Sequence, residues 1–225
     1  MTDTVQHELD GANGAFKVVV LGDRSDQPNP ACAMVYGDPV DGCPVRVHSR
    51  CLYGEIFEAT TCDCLFQLRM SQKVIRDHGS GVLIYLDQEG RGEGLLAKAE
   101  GYRLCQKTGI DTFDAYAELG YKADSRSYAD AVALLKHLGL KEISLLTNNP
   151  AKWEALALAG IKVRQQPLIM PEPGDLARAY LAAKELQGHM FSLTSRRRRR
   201  MDITRKVVVS SLTRFTGRSK ARAGQ

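Results

Sequence analysis

The sequence contains no long apolar run, few aromatic residues and a single tryptophan. No segment approaches the roughly 18 consecutive apolar residues that a membrane-spanning helix needs. The first residues, MTDTVQHELDGANG, lack the basic region followed by an apolar run that marks a secretory signal. These absences argue against a membrane protein and a secreted one, so we expect a cytoplasmic protein with no membrane partner.

Apolar residues are nevertheless plentiful. Of the 225 residues, 44% are hydrophobic and 25% are charged, which is typical of a folded globular domain. Internal repeats are absent. The six cysteines, at positions 32, 43, 51, 62, 64 and 105, are expected to stay reduced or to bind metal, because disulfides are rare in chains without an export signal.

Positive charge is concentrated at one end of the chain. Residues 193–225 contain nine arginines, two lysines and one aspartate, whereas residues 1–192 contain 20 basic and 25 acidic residues. Blocks of like charge repel one another and are usually disordered. We therefore divide the chain into a folded domain, residues 1–192, and a disordered, Arg-rich tail, residues 193–225. We expect the tail to be a solvated extension, and contact with nucleic acid or another polyanion is the alternative.

Short β-forming runs alternate with amphipathic helical segments in the folded domain. The predicted strands are 16–23, 32–38, 44–49, 81–88, 142–147 and 161–165. The predicted helices are 66–79, 94–109, 125–139 and 148–160. Ser127 is a plausible N-cap of the third helix, and Asn149 followed by Pro150 is typical of the start of the fourth. This order predicts one compact α/β domain of the mixed α+β kind, in which helices flank a mixed sheet with an antiparallel opening.

Three cysteines lie close together along the chain. Cys62 and Cys64 are two residues apart, so their side chains point to one side of an extended segment, and Cys51 can reach them from the preceding loop. Three thiolates favour zinc, which takes four protein ligands at structural sites but keeps one position open at catalytic sites. We therefore predict one catalytic zinc ion per chain. A closed site that recruits Cys43 or His48, or a group of ordinary buried thiols, is the alternative.

Two further segments have the features of phosphate-binding sites. DQEGRGEGLLAK is a strand end that enters a Gly-rich turn and a helix, with Arg91 and Lys98 supplying positive charge. LLTNNPAK repeats the pattern with Thr147, a helix start and Lys152. Neither is a Walker loop or a dinucleotide fingerprint. Together they indicate a polyphosphate ligand, and turns with solvated charges are the alternative.

Four segments of the chain resemble the successive signature blocks of the GTP cyclohydrolase II family. They are RVHSRC…CDCLFQL, YLDQEGRGEGLLAK…GY, DTFDAYAELGYKADSRSY and LLTNNPAKWEALALAGI, and the similarity extends over about residues 30–192. The resemblance implies a catalytic domain in which zinc, held by Cys51, Cys62 and Cys64, activates water against C8 of guanine. It also implies release of formate and pyrophosphate, with Mg²⁺ on the triphosphate, as in the first step of riboflavin biosynthesis.

The resemblance also implies roles for individual residues. Arg126 matches the residue proposed as nucleophile at the α-phosphate, or else a clamp on phosphate charge, and Asp124 matches its proton acceptor. Tyr102 matches a tyrosine that assists the hydrolytic ring opening. The positions that match the GTP-binding residues are Arg46, Val47, His48, Ser49, Arg50, Gln67, Glu89, Gly90, Arg91, Thr112, Thr147 and Lys152.

Five positions depart from the family pattern. Arg50 stands where Glu is usual, Tyr53 replaces Thr, Leu65 replaces Gly, Glu93 occupies an apolar position, and Tyr116 replaces Asn. These changes indicate a specialised paralogue. We expect a zinc-dependent hydrolase that opens the imidazole ring of GTP and releases formate and pyrophosphate. A paralogue that keeps the formyl group or uses another purine nucleotide is the alternative.

The sequence also leads to expectations about domain fusion, oligomeric state and a different class of function. Nothing in it resembles the dihydroxybutanone phosphate synthase domain that is often fused to this family, so we expect the stand-alone form and, as is typical of the family, a homodimer. The alternative from another class is a nucleic-acid-binding protein with a structural zinc ion and the Arg-rich tail. Salt-sensitive nucleic-acid binding without formate release would favour that alternative.

Overall fold

The computed structural model describes residues 3–22, 31–171, 173–186 and 188–189. The Arg-rich tail lies outside these residues. The strands are β1 (Asp3–Gly11), β2 (Gly14–Gly22), β3 (Ala31–Tyr36), β4 (Pro44–Ser49), β5 (Gly81–Leu86), β6 (Glu142–Leu146) and β7 (Lys162–Gln166). The helices are α1 (Leu52–Glu55), α2 (Cys64–His78), α3 (Gly94–Thr108), α4 (Thr112–Glu118), α5 (Ala129–His137), α6 (Pro150–Leu158) and α7 (Asp175–Leu186).

The strands form one mixed sheet in the order β1-β2-β3-β5-β4-β6-β7. Strands β1, β2, β3 and β5 pair in antiparallel fashion, and β5, β4, β6 and β7 pair in parallel. The mixed sheet with its antiparallel opening confirms the predicted fold class. Strand β1 was not predicted from the sequence. It is an edge strand that pairs with β2 and is mostly exposed, and its segment DTVQHELDG therefore lacks the alternating apolar residues of a half-buried strand.

The main hydrophobic core lies between the central strands and α5. The predicted apolar stripe of α5 is confirmed, since Ala131, Leu134 and Leu135 are fully buried and Leu138 packs against the same cluster. Cys43 is buried in this core as well. Its burial among apolar groups raises the pKa of its thiol to about 11, as expected for a packing residue rather than a ligand.

The helix starts differ from the predictions in detail. Helix α6 has the predicted N-cap, because the Asn149 side chain accepts a hydrogen bond from the Ala151 N–H, and proline stands in its first turn. The N-cap of α5 is Tyr128 rather than Ser127, whose hydroxyl instead accepts from the Ala129 N–H at 3.3 Å. Helices α1, α4 and α7 were not predicted. No helix among the described residues is long and apolar enough to cross a bilayer.

The parallel strands β4, β5 and β6 end at one edge of the sheet, at Ser49, Leu86 and Leu146. The segments that follow them carry most of the predicted site residues. In open α/β sheets, ligands bind at the carboxyl ends of parallel strands. The strand order β5-β4-β6 therefore gathers segments that are far apart in sequence into one pocket.

Candidate active site

Three sulfur atoms converge at one wall of this pocket. The Sγ atoms of Cys51, Cys62 and Cys64 all lie within 4.8 Å of one another, and those of Cys51 and Cys62 are 3.8 Å apart. Tetrahedral ligands at a Zn–S distance of about 2.3 Å would be separated by about 3.8 Å, so the group fits zinc. Cys51 caps α1 and Cys64 is the first residue of α2. The pair Cys62 and Cys64 therefore meets at a helix start rather than in the extended segment that was predicted.

Gly54 makes the convergence of the sulfurs sterically feasible. A Cβ atom at this position would lie 2.9 Å from the Cys62 Sγ and 3.3 Å from the Cys51 Sγ. The Gly54 N–H also donates to the Cys51 Sγ at 3.4 Å. Backbone N–H groups directed at a sulfur stabilise its thiolate form, which is the form that binds metal.

Neither proposed fourth ligand joins the group among the residues that the structure describes. Cys43 lies in the core, and the two ring nitrogens of His48 already have partners. His48 Nε2 lies 2.9 Å from Glu55 Oε1, and Nδ1 lies 3.3 Å from Arg46 Nη2. Burial lowers the pKa of His48 to about 4, so the ring is neutral at physiological pH and donates to Glu55. The geometry thus favours a three-cysteine site over a closed one.

The pKa values of the three cysteine thiols differ. Hydrogen bonds from Cys62 and Cys64, together with the nearby Lys98 ammonium, hold the pKa of Cys51 far below its usual range. The pKa of Cys62 is raised to about 11 and that of Cys64 is also raised, because each donates to the Cys51 sulfur. One thiolate is therefore already favoured, and a divalent cation would draw the remaining protons off the other two.

The same pocket also has several basic side chains. Besides Arg50, Arg91 and Lys98, they are Arg46, Arg126, Lys152 and Lys184. His189 lines the pocket too, but burial lowers its pKa to about 3, so its ring is neutral. Burial and the neighbouring charges of Arg46, Arg126 and Lys184 hold the pKa of Lys152 well below its usual range. Burial likewise lowers the pKa of Arg46 to about 10. Such a buried cationic cluster is short of negative charge, so it favours an anionic ligand.

Arg46 and Lys152 are held by backbone oxygens. Arg46 Nη1 donates to the Leu146 carbonyl at 2.8 Å, and Lys152 Nζ donates to the Val47 carbonyl at 2.8 Å. The Nε of Arg46 is buried and has no hydrogen-bond partner among the residues that the structure describes. An unpaired buried donor is costly, which again indicates a ligand at this position.

Arg126 and Asp124 form a tight pair. Arg126 Nε donates to Asp124 Oδ1 at 2.8 Å, and Nη2 donates to Oδ2. Burial alone would lower the pKa of Arg126, but the Asp124 hydrogen bonds and charge raise it above its usual value. Burial would raise the pKa of Asp124, and the guanidinium lowers it overall. Arg126 lines the pocket, and both members of the pair are held in their charged forms.

Tyr102 lies in the pocket with its hydroxyl 3.3 Å from the Thr61 hydroxyl. Its ring meets the edge of Tyr53, with centroids 5.4 Å apart. Burial raises the pKa of Tyr102, so the phenol keeps its proton at neutral pH. It is thus available to donate a hydrogen bond, and its raised pKa makes it a weaker acid than a free tyrosine.

The other predicted binding residues are brought to the same place. Besides those already described, Ser49, Arg50, Gln67, Glu89, Gly90, Arg91, Thr112 and Thr147 line the pocket. Val47 does not line the pocket, but its carbonyl accepts a hydrogen bond from Lys152, which does. Gly90 and Arg91 both have φ of 58°, a left-handed turn that is unusual for Arg91. Arg91 is held there by Thr112 Oγ1 at 2.7 Å and by the ring of Phe113, 3.4 Å below its guanidinium carbon.

Both polar atoms of the Gln67 side chain form hydrogen bonds within the protein. Its Oε1 accepts from Arg46 and its Nε2 donates to Asp63. Asp63, which lies between two of the cysteines, also accepts from Lys184 Nζ at 2.9 Å. The amide therefore belongs to a buried polar network that joins β4, the cysteine segment and α7.

The departures from the family pattern have individual structural settings. Arg50 Nη1 lies 3.0 Å from Asp87 Oδ2, so its positive charge is offset locally. The Tyr116 hydroxyl donates to the Gly90 carbonyl at 3.1 Å, and its ring leaves no room for a Cβ on Gly101. Glu93 accepts from the Ser125 hydroxyl. Leu65 faces a second, more apolar cavity between α2 and α7 rather than the pocket.

Three residues of this site were missed as site residues from the sequence. Glu55 accepts from His48, from the Cys51 N–H at 2.6 Å and from the Tyr85 hydroxyl at 2.9 Å. Lys98 was read only as a phosphate-binding charge, yet its Nζ lies 3.3 Å from the Cys51 Sγ. Lys184 belongs to a helix that was not predicted. The only local signal for Glu55 is its position four residues after Cys51 and seven after His48, at the end of the short helix α1.

Comparison with known proteins gives a consistent picture. The sequence model of the family described as GTP cyclohydrolase II matches residues 2–167. A GTP cyclohydrolase-2 from Pseudomonas syringae pv. tomato is 45% identical over 158 residues, covering 69% of this chain and 77% of that protein. A GTP cyclohydrolase-2 from Azospirillum brasilense is 47% identical over 163 residues, covering 71% of this chain but 42% of that protein. The riboflavin biosynthesis protein RibBA of Chlorobium phaeovibrioides is 39% identical over 191 residues, covering 84% and 46%.

The fold and the site together define an α/β protein with a three-cysteine metal site at one side of a cationic pocket. With the family model covering most of the chain, the protein belongs to the GTP cyclohydrolase II family, as the signature blocks predicted. The chain spans less than half of the Azospirillum and Chlorobium relatives.

Proposed function

We propose that the protein is a zinc-dependent hydrolase that opens the imidazole ring of GTP and releases formate and pyrophosphate. The observation that carries the proposal is the pairing, in one pocket, of three converging cysteines with a buried cationic cluster. A purine triphosphate offers an electrophilic carbon at one end and several negative charges at the other. The sulfurs suit the first of these ends and the cations suit the second.

The sulfur wall supports hydrolysis at C8 of the base. Zinc bound there would supply a Lewis acid that activates water at neutral pH. Tyr102, which keeps its proton, is placed in the same pocket to donate to a ring nitrogen or to orient water while the carbon–nitrogen bonds at C8 are broken. Gln67 is held rigidly by Arg46 and Asp63, which supports a role in orienting the base.

The buried basic groups support binding of the triphosphate. Backbone carbonyls fix Arg46 and Lys152, so both side chains are held in place before the ligand binds. An anion near Lys152 would restore its usual pKa and so bind more tightly than at an exposed lysine. We propose that Mg²⁺ accompanies the triphosphate, which family membership supports.

Of the two roles considered for Arg126, the geometry supports the clamp. Its bond to Asp124 holds the guanidinium protonated, and a nucleophile must first lose that proton. A protonated guanidinium, which can donate two parallel hydrogen bonds, is well suited to neutralising a phosphate oxygen as the α–β phosphoanhydride bond breaks. The nucleophile role requires Asp124 to take a proton against this pairing.

We also propose a homodimer acting in riboflavin biosynthesis. The family and the name of the Chlorobium relative support the pathway. The dimer rests on the family alone, and analytical ultracentrifugation measures it directly. The Arg50–Asp87 pair supports ordinary purine binding, because the reversed charge is offset within the protein.

The decisive experiment incubates zinc-replete protein with GTP, ITP or ATP, with and without Mg²⁺, and identifies the products by mass. We expect formate, pyrophosphate and a diaminopyrimidine ribosyl phosphate from GTP, and no formate from the Cys64→Ser variant. A product that keeps the formyl group, or preference for another nucleotide, would instead identify a specialised paralogue. Salt-sensitive RNA or DNA binding without any nucleotide turnover would refute the proposal.

A further inference from the structure

Lys98 occupies an unusual position beside the cysteines. It projects from α3, is 8% exposed, and places its Nζ 3.3 Å from the Cys51 Sγ and 2.6 Å from Glu89 Oε1. The ring of Tyr53 lies against the same ammonium, 4.6 Å from Nζ to the centroid. These three neighbours hold the side chain in one orientation, with one N–H directed at one of the three sulfurs.

Glu89 fixes that orientation. Its Oε1 accepts from Lys98 and its Oε2 accepts from the Leu52 N–H at 2.7 Å. Leu52 is the first residue of the helix that Cys51 caps. The carboxylate thus ties α3 to the segment that carries the first cysteine, and the Lys98 ammonium fills the space between them.

Three thiolates create an electrostatic problem for a catalytic metal. A divalent ion with three thiolate ligands has a net charge of −1, and the electron density that the sulfurs donate weakens the ion as a Lewis acid. Hydrogen bonds to ligating atoms adjust this donation, and losing such partners typically costs about 10- to 100-fold in metal affinity or activity. A cation that donates to a thiolate withdraws density from that sulfur.

We propose that Lys98 is a positioning residue of the metal centre, which donates a hydrogen bond to the Cys51 thiolate and thereby keeps the bound metal electrophilic, with Glu89 as its anchor. The inference rests on the zinc-dependent function proposed above. It assigns Lys98 to the metal site instead of to the phosphates. It also makes the three sulfurs inequivalent, because among the described residues the ammonium donates to the sulfur of Cys51 and to neither of the other two sulfurs.

The test replaces zinc by cobalt, whose thiolate-to-metal charge-transfer absorption reports electron density on sulfur. We expect Lys98→Met to shift this absorption to longer wavelength, since the sulfur loses its donor, and Lys98→Arg to stay close to the wild-type spectrum. The zinc form of Lys98→Met should bind one metal ion and release formate about 10- to 100-fold more slowly. Lys73→Met, which removes an exposed lysine of α2 paired with Asp77, is the matched control and should change neither property.

Glu89→Gln provides a second measurement if Lys98→Met fails to fold. It leaves the donor in place but weakens its anchor, so we expect a smaller shift in the same direction. An unchanged charge-transfer band in cobalt-loaded Lys98→Met would overturn the inference. So would an unchanged band in Glu89→Gln where that is the only folded variant. The spectrum is independent of turnover, so the two proposals can fail separately. A shift in the spectrum of the variant, with no formate release by the wild type, would count only against the proposed function. Formate release by the wild type, with no shift in the variant, would count only against the role of Lys98.

Discussion

At the scale of single residues, the metal site depends on the absence of a side chain at position 54. A Cβ there would come within 2.9 Å of one sulfur and 3.3 Å of another. We expect Gly54→Ala to fold but to lose most of its zinc at equal free metal concentration, because the sulfurs must separate. Metal analysis after dialysis measures this. Gly174→Ala is the matched control, since a Cβ there meets nothing within 4 Å, and equal zinc content in both variants would contradict the assignment.

Tyr102 tests the hydrolytic half of the reaction. Its half-buried, protonated hydroxyl lies within hydrogen-bond distance of the Thr61 hydroxyl. We expect Tyr102→Phe to slow formate release by about 10²-fold, the typical contribution of a general acid. Pyrophosphate release should change much less, because we propose that it depends on Arg126 and the other basic groups. Equal slowing of both products would show instead that Tyr102 acts by shaping the whole pocket.

Arg126 tests the phosphate half. We expect Arg126→Ala to lose pyrophosphate release while keeping its zinc, because the fork paired with Asp124 is gone. Arg126→Lys separates the two roles: a clamp keeps part of its effect when the charge is kept, whereas a nucleophilic guanidinium does not. Product analysis by ³¹P NMR follows both variants. Normal pyrophosphate release by Arg126→Ala would eliminate both roles.

At the scale of elements, α7 closes the pocket and is tied to the cysteine segment. It brings Tyr180 and Lys184 to the pocket lining, and the Lys184 ammonium pairs with Asp63 at 2.9 Å. Asp63 is 1% exposed, and it lies between Cys62 and Cys64. Docking of this helix and the shape of the metal site are therefore linked by one buried ion pair.

Breaking that pair should be costly. In Lys184→Met the Asp63 carboxylate would remain buried without its cation, and removing one partner of a buried pair typically costs about 3–5 kcal/mol. We expect urea unfolding to show a loss of that size, and protease cleavage to become faster between α6 and α7. Lys184→Arg keeps the charge and should recover most of the stability. A Lys184→Met protein as stable as the wild type would show that the pair contributes little.

At the scale of the whole molecule, the boundary between the domain and the Arg-rich tail is still a prediction. The tail lies outside the described residues, and the match to the family model ends at residue 167. We expect a variant that ends at Ser192 to keep the turnover of the full chain and to lose retention on a heparin column, since nine arginines are removed. A large fall in turnover would place catalytic residues beyond the predicted boundary.

Local chemistry made much of the molecule predictable from its sequence. The caps and turn residues around α6, the apolar stripe of α5 and the buried strands are short-range patterns, and the three cysteines lie within 14 residues of one another. The signature blocks identified the family for the same reason, since each is contiguous. Strand β1 and helices α1 and α4 escaped prediction because the first is solvated and the other two are shorter than the helical pattern needs.

Only the tertiary structure decided how these pieces meet. Lys152 reaches the Val47 carbonyl across 105 residues, and Lys184 reaches Asp63 across 121. The first pair depends on the strand order β5-β4-β6 and the second on the docking of α7, and no local pattern encodes either. The sequence by itself therefore determined the chemical groups that the protein carries. The sheet decided that sulfurs and buried cations face one pocket, because burying the apolar faces of its strands leaves their carboxyl ends together at one edge.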